Sequence, residues 1–136
     1  MTITEKQNAY ILDFQKLTDW FDKYAYLIEL AGVMDPMPSL EKSDEHLIKR
    51  CQSKTWLTHT YLNGKLYFQV DSDALIVKGV LGIIADILSG KSPQEVSEAN
   101  LFILDVIDFD DNVPHSRSNG VRESIDAMIN IAMAYI

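Results

Sequence analysis

One cysteine, Cys51, and three histidines, His46, His59 and His115, are the side chains of this chain best suited to covalent or metal chemistry. Cys51 sits in the stretch IKRCQSKTWL, behind two basic residues and ahead of a polar Gln52-Ser53 pair. A structural zinc site asks for four Cys and His ligands at characteristic spacings. Here no CxxC or HxxxH occurs, so a metal centre is not expected. A Cys-His hydrolase needs a base within hydrogen-bond reach of the sulfur and a third group to orient it. His46 and His115 fall in segments read as loops and are the candidates for that base, but no local signature accompanies them. A lone cysteine also serves as a small buried hydrophobe. The polar, cationic setting of Cys51 speaks against that role, because neighbouring positive charge favours the thiolate, the reactive form. On residue types alone Cys51 is a reactive thiol of unassigned chemistry.

The elements that must position it follow from periodicity. TEKQ at Thr4–Gln7 reads as a helix-opening capping box, with Tyr10, Ile11, Phe14 and Leu17 on one face of the helix it starts. Thr18 reads as the next N-cap, and Trp20, Phe21, Tyr24, Leu27, Ile28 and Ala31 recur at helical spacing up to a stop at Gly32. Pro36 and Pro38 make MDPMPSL a loop. The period then changes. TWLTHTYL-NG-KLYFQVD is two β-rich runs around Asn63-Gly64, a strong hairpin signal. Pairing Leu62 with Lys65 puts Leu57, His59, Tyr61, Leu66, Phe68 and Val70 on one face, the core face. His59 is thereby expected to be a hydrogen-bonded core histidine opposite Phe68. Ile48 and its neighbours are expected to add a short third strand, leaving Cys51 in the connection.

A largely apolar helix should run from Ser72 or Asp73 to Gly90, with Gly79 and Gly82 allowing close approach to the sheet. SPQE at Ser92–Glu95 is a second capping box with Pro93 at the first helical position. A short helix follows, then another around Leu101–Ile107. DFDDNVPHSRSNG reads as loop. A last helix carries Val121, Ile125, Met128, Ile129, Ala132 and Ile136 on one face. The sum is one α+β domain over residues 1–136, a small antiparallel sheet covered by helices.

Bulk composition excludes some functions. Twenty acidic against twelve basic residues give a net charge of −8, which disfavours nucleic-acid binding through phosphates. The N-terminus lacks an apolar signal core, and the longest apolar run, Ala74 to Leu88, is interrupted by Lys78 and Asp86 and too short for a bilayer. A single cysteine fits a reducing compartment. A cytoplasmic location is expected.

IKRCQSKTWL, DSDALIVKGVLGII with the following SG-x-SPQE, and SRSNGV, taken in order and spacing, resemble the SufE family of sulfur-acceptor proteins, and the similarity extends from DWFDKYAYLIELAG to the last helix. The resemblance implies a fold like the IscU-type cluster scaffold. It also implies that Cys51 takes persulfide sulfur from a SufS-type cysteine desulfurase, stimulates that enzyme, and passes sulfur to a complex that builds iron–sulfur clusters. The pyridoxal phosphate (PLP) belongs to the partner, and this chain needs no cofactor of its own. Transfer would follow thiol–disulfide exchange. A carrier profits from sheltering its persulfide, so the Cys51 loop is expected to tuck in when alone and swing out on the partner. The resemblance places Asp71, Ser72 and Asp73 near that loop and gives Arg117 a role in thiolate stabilisation or docking. Gln52 and Ser53 would satisfy loop amides. Helix capping is at least as good a reading for Ser72, a surface loop charge an equal one for Arg117, and packing the favoured one for Trp56. The chain departs from the family where Gly commonly precedes the cysteine: Arg50 stands there. Lys42 and His46 stand where Arg and Asn are common. Two other readings stay open: a non-catalytic desulfurase-binding module with a vestigial thiol, and a Cys-dependent hydrolase. Whether the sulfurtransferase-type chemistry makes it an enzyme in its own right is open, as is monomer against homodimer.

Overall fold

The computed structural model describes residues 1–49 and 53–136. Helices α1 (Ile3–Gln15) and α2 (Trp20–Val33) come first. Two short 3₁₀ turns, Ser39–Glu41 and Asp44–His46, lead to strands β1 (Thr55–Leu62) and β2 (Lys65–Ser72). Then follow α3 (Leu75–Leu88), α4 (Pro93–Ser97), α5 (Ile103–Val106), α6 (Phe109–Asn112) and α7 (His115–Met133). The arrangement is α+β.

The hairpin forms in the expected register, Leu62 opposite Lys65 and His59 opposite Phe68. Asn63 and Gly64 both take positive φ (52° and 78°), the conformation a two-residue type I′ turn demands. Of the expected core face, Leu57, Leu66, Phe68 and Val70 are buried. His59 and Tyr61 lie on the same face but nearer the turn, and both are exposed. His59 is therefore not a core histidine. Its Nε2 lies 2.9 Å from the Tyr135 hydroxyl, and Tyr61 stacks on Tyr135 at 4.4 Å between ring centroids. Among the described residues the sheet has two strands, not three. The expected third strand is reduced to one bridge, Leu47 to Trp56, with the Ile48 amide donating to the Thr55 carbonyl at 2.8 Å.

Helix α3 is the centre of the core, with Val77, Leu81, Ile84, Ile87 and Leu88 fully buried. Helix α2 packs on it where Gly79 removes a side chain. A Cβ at Gly79 would collide with the backbone carbonyl of Leu27, and one at Gly82 would come within 2.5 Å of the Met34 sulfur. The two glycines thus admit α2 and the residue after it, not the sheet as their spacing suggested. Helix α3 also packs on β2 and α7.

Several caps are displaced from their expected positions. The first capping box is Thr2 with Glu5, not Thr4 with Gln7. Asp19, not Thr18, caps α2 by accepting the Asp22 amide at 2.9 Å. Helix α2 also runs one residue past Gly32. The Ser92–Glu95 box is present as expected, with Pro93 in the first turn.

Gln7 is fully buried and acts elsewhere. Its amide nitrogen donates to the Asn100 carbonyl (2.9 Å), and its oxygen accepts the amides of Phe102 (2.9 Å) and Ile103 (3.1 Å). It satisfies the free N–H groups at the start of α5, which has no cap of its own. Gln7→Leu orphans these buried groups and should cost about 2–3 kcal/mol, read as a lower urea midpoint.

Candidate functional site at the open end of the hairpin

The open end of the hairpin gathers four chain segments. The Thr55 and Ser72 hydroxyls, opposite each other in the register, lie 2.9 Å apart. Ser72 then turns the chain into α3. Its amide donates to Asp71 Oδ1 (2.8 Å), and its Oγ accepts the Ala74 amide (3.2 Å). Ser72 is therefore not the cap of α3, whose N-cap is Ala74 and which has no side-chain cap bond; it holds the turn just before the helix. The Asp73 amide donates to the Lys54 carbonyl (2.9 Å), which ties the two strand ends together. The Asp73 residue itself is exposed.

Arg117 enters from the other side. PHSRSNG was expected to be loop, but Pro114 has the extended backbone that starts a helix, and α7 begins at His115. Arg117 thus stands in the first turn of a 19-residue helix. Its Nη1 donates to Ser53 Oγ at 2.6 Å, a charge-assisted bond. Cys51 and Gln52, with Arg50, lie outside the described residues, and so does the sheltering expected of the cysteine loop. In sequence Cys51 falls between Ile48 and Ser53, one tied to β1 and the other to α7.

Asp71, placed near the cysteine loop by the resemblance, is the centre of an ion cluster. Its side chain is 5% exposed and lies between Lys42 Nζ (3.1 Å from Oδ2) and Lys78 Nζ (3.3 Å from Oδ1). Burial by itself would raise the Asp71 pKa. Hydrogen bonds from Lys42, the Ser72 amide and Lys78 outweigh it and hold the carboxyl below its ordinary value. Lys42 also lies over the Trp56 ring, 5.3 Å from its centroid, a cation–π contact. Trp56 is buried and so does serve packing. It also bridges to Leu47, in the segment that leads to Cys51.

Reading the residues singly missed this cluster. The signal available was Lys78, a lone charge inside an otherwise apolar helix face. Such a charge is retained only where it has a partner. Of the histidines, His46 Nδ1 lies 2.7 Å from the Glu41 carbonyl and is committed to that turn. His115 is exposed at the start of α7, and His59 lies further toward the turn end of the hairpin. The structure joins none of them to Ser53 or Arg117 among the described residues. Among the described residues no three His, Cys, Asp or Glu side chains converge as a metal cage, and no helix is long and apolar enough to cross a membrane.

Fold and site together define an α+β protein in which a hairpin, backed by one buried helix, anchors Ile48 and Ser53, the described residues that flank the cysteine in sequence, near its open end. The model of the SufE family, described as an Fe-S metabolism associated domain, matches residues 8–132, and the chain belongs to that family. It is 36% identical over 118 residues to an uncharacterized SufE-like protein of Rhizobium etli, covering 83% of this chain and 80% of that one. It is 35% identical over 118 residues to another from Rhizobium meliloti, covering 83% and 84%. The fold is similar to the solution structure of a hypothetical protein from Thermus thermophilus. There the TM-score is 0.75 at 18% identity, over 95% of this chain and 94% of that one. Membership of the family points to a role in iron–sulfur metabolism.

Proposed function

We propose that this chain is a persulfide carrier. It accepts sulfur from a SufS-type cysteine desulfurase on Cys51, stimulates that enzyme by removing its product, and delivers the sulfur for iron–sulfur cluster assembly. The observation that carries this reading is the position of the sole cysteine. It lies in a connection whose two ends are tied to the hairpin base, the nearer end by the cation of Arg117. A positive charge near a thiol favours the thiolate. The Cys51 thiolate attacks the terminal sulfur of the desulfurase persulfide. The S–S bond of the donor breaks, its cysteine leaves as a thiolate, and Cys51 becomes the persulfide. No outside oxidant or reductant is consumed. Ser53 and Arg117 act as positioning residues, Gln52 supplies polar groups to the same connection, and Asp71 and Asp73 fix the hairpin base beside it. PLP stays with the desulfurase.

Intact mass after incubation with the desulfurase and L-cysteine tests this. The expected gain is one sulfur, about 32 Da, lost on treatment with a thiol reductant and absent in Cys51→Ser. Tight desulfurase binding without the adduct identifies a non-catalytic binding module instead. Arg117→Ala should slow loading about tenfold at neutral pH, and the deficit should shrink at higher pH as the thiolate forms unaided. A deficit that does not change with pH assigns Arg117 to docking.

A further inference from the structure

The chain that leads to Cys51 has little to hold it in place. From Pro38 to Lys49 no residue is buried, and Leu40 is 95% exposed. The two 3₁₀ turns of this segment close only local bonds. The Glu41 amide donates to the Pro38 carbonyl (2.9 Å), the Lys42 amide to that of Ser39 (3.2 Å), and the His46 amide to that of Ser43 (3.1 Å). Turns without buried apolar contacts belong to the least stable parts of a fold. Yet this segment delivers the chain to Ile48, three residues before Cys51.

Among the described residues, its polar ties to the rest of the fold all go to the base of the hairpin. At its end, Leu47 bridges to Trp56 and the Ile48 amide donates to the Thr55 carbonyl. Nearer its start, Lys42 Nζ lies 3.1 Å from Asp71 Oδ2 and 5.3 Å from the centroid of the Trp56 ring. Trp56 and Asp71 face each other across β1 and β2, so this one cation spans a cross-strand pair. Lys42 and Leu47 both end on Trp56, which closes residues 42–47 onto the hairpin at both ends. Asp71 does not need Lys42 for its charge. Lys78 reaches Oδ1 from α3 at 3.3 Å, so the carboxylate keeps a cation when Lys42 is removed. The distinct contribution of Lys42 is to tether a weakly held segment.

We propose that Lys42 is a positioning residue for sulfur acceptance. It clamps the approach to Cys51 onto the Trp56–Asp71 pair and so fixes where the thiol meets the donor persulfide. The inference rests on the persulfide-carrier reading. Arg117 holds the far side of the same connection through Ser53, so each side is held by one cation. The clamp acts on the place of the thiol and not on its protonation. A misplacement of about 1 Å, even from a change far from the chemistry, can slow a reaction about a hundredfold, so a tether need not touch the sulfur to control its transfer.

Single-turnover loading of the full chain by a persulfide-bearing desulfurase, followed by intact mass over a range of carrier concentrations, tests this. Lys42→Met keeps an apolar stem but loses the charge. It should lower the maximal loading rate about tenfold, with the half-saturating concentration within about twofold and an unchanged circular dichroism spectrum. Lys42→Arg, which can bond the carboxylate and stack on the ring, should restore the rate. Lys78→Met takes the other cation from Asp71 but leaves the clamp, and should load like the wild type. The pH midpoint of Cys51 alkylation should be the same in wild type and Lys42→Met. An unchanged maximal rate in Lys42→Met, an equal loss in Lys78→Met, or no recovery in Lys42→Arg overturns the proposal. So does a shifted alkylation midpoint, which makes Lys42 an electrostatic aid to the thiolate, or a loss confined to the half-saturating concentration, which makes it a docking contact. A wild-type chain that never gains sulfur overturns the carrier reading itself, and this inference with it.

Discussion

Gly79→Ala should lower the unfolding free energy by about 2–4 kcal/mol, a large loss for the addition of one methyl group. In an unpacked helix the same change is favourable by about 1 kcal/mol. Here the new Cβ meets the backbone carbonyl of Leu27, which cannot rotate aside as a side chain can. Helix α2 has to move off α3, and Leu27 and Ala31, both buried, lose their contacts. Two controls bracket the effect. At Gly82 the obstacle is the flexible end of Met34, so Gly82→Ala should cost under about 1.5 kcal/mol. At Gly32 nothing lies within 4 Å, and Gly32→Ala should stabilise by about 0.5 kcal/mol. Urea denaturation of the three variants measures the order. A Gly79→Ala chain as stable as Gly32→Ala would show that α2 does not sit this close to α3.

Asp71→Asn should cost about 2–3 kcal/mol at pH 7, because it leaves Lys42 and Lys78 facing each other without the carboxylate between them. The loss falls short of that for a fully buried pair because Lys42 is 35% exposed and can turn toward water. The cost should depend on pH. The Asp71 pKa is lower folded than unfolded, so its contribution is complete above the ordinary aspartate value, about 3.9. It fades as pH falls through that value toward the folded one. Denaturation at pH 7 and pH 3 should thus show the Asn variant's deficit shrinking with acid. A deficit equal at both would mean that the loss comes from packing and not from charge. Lys42 also covers Trp56, so tryptophan emission should shift in the same variant.

Much of the local structure follows from short-range chemistry. Asn63-Gly64 sets the turn, the turn sets the register, and the register decides which strand residues face the helices. Ser92, Pro93 and Glu95 start α4 using only their own side chains and backbone. The candidate thiol was legible for a similar reason: a lone cysteine among cations carries its meaning in its neighbours. Where two local patterns compete, the sequence does not choose. Thr2-x-x-Glu5 and Thr4-x-x-Gln7 both fit a capping box, and the outcome turns on Gln7 being claimed by α5, over ninety residues away.

What the sequence determined by itself is therefore the α+β class, the hairpin and its register, and the identity of the one thiol, because each depends on residues within a few positions of one another. The tertiary structure alone decided that Gly79 admits α2 and not the sheet, that Arg117 begins a helix and reaches Ser53, and that Asp71 joins Lys42 to Lys78. It also decided that His59 lies in the open beside Tyr135. These are contacts between segments far apart in the chain. Their formation depends on how the helices stack on one buried core, a property of the whole packed volume and of no single stretch of sequence.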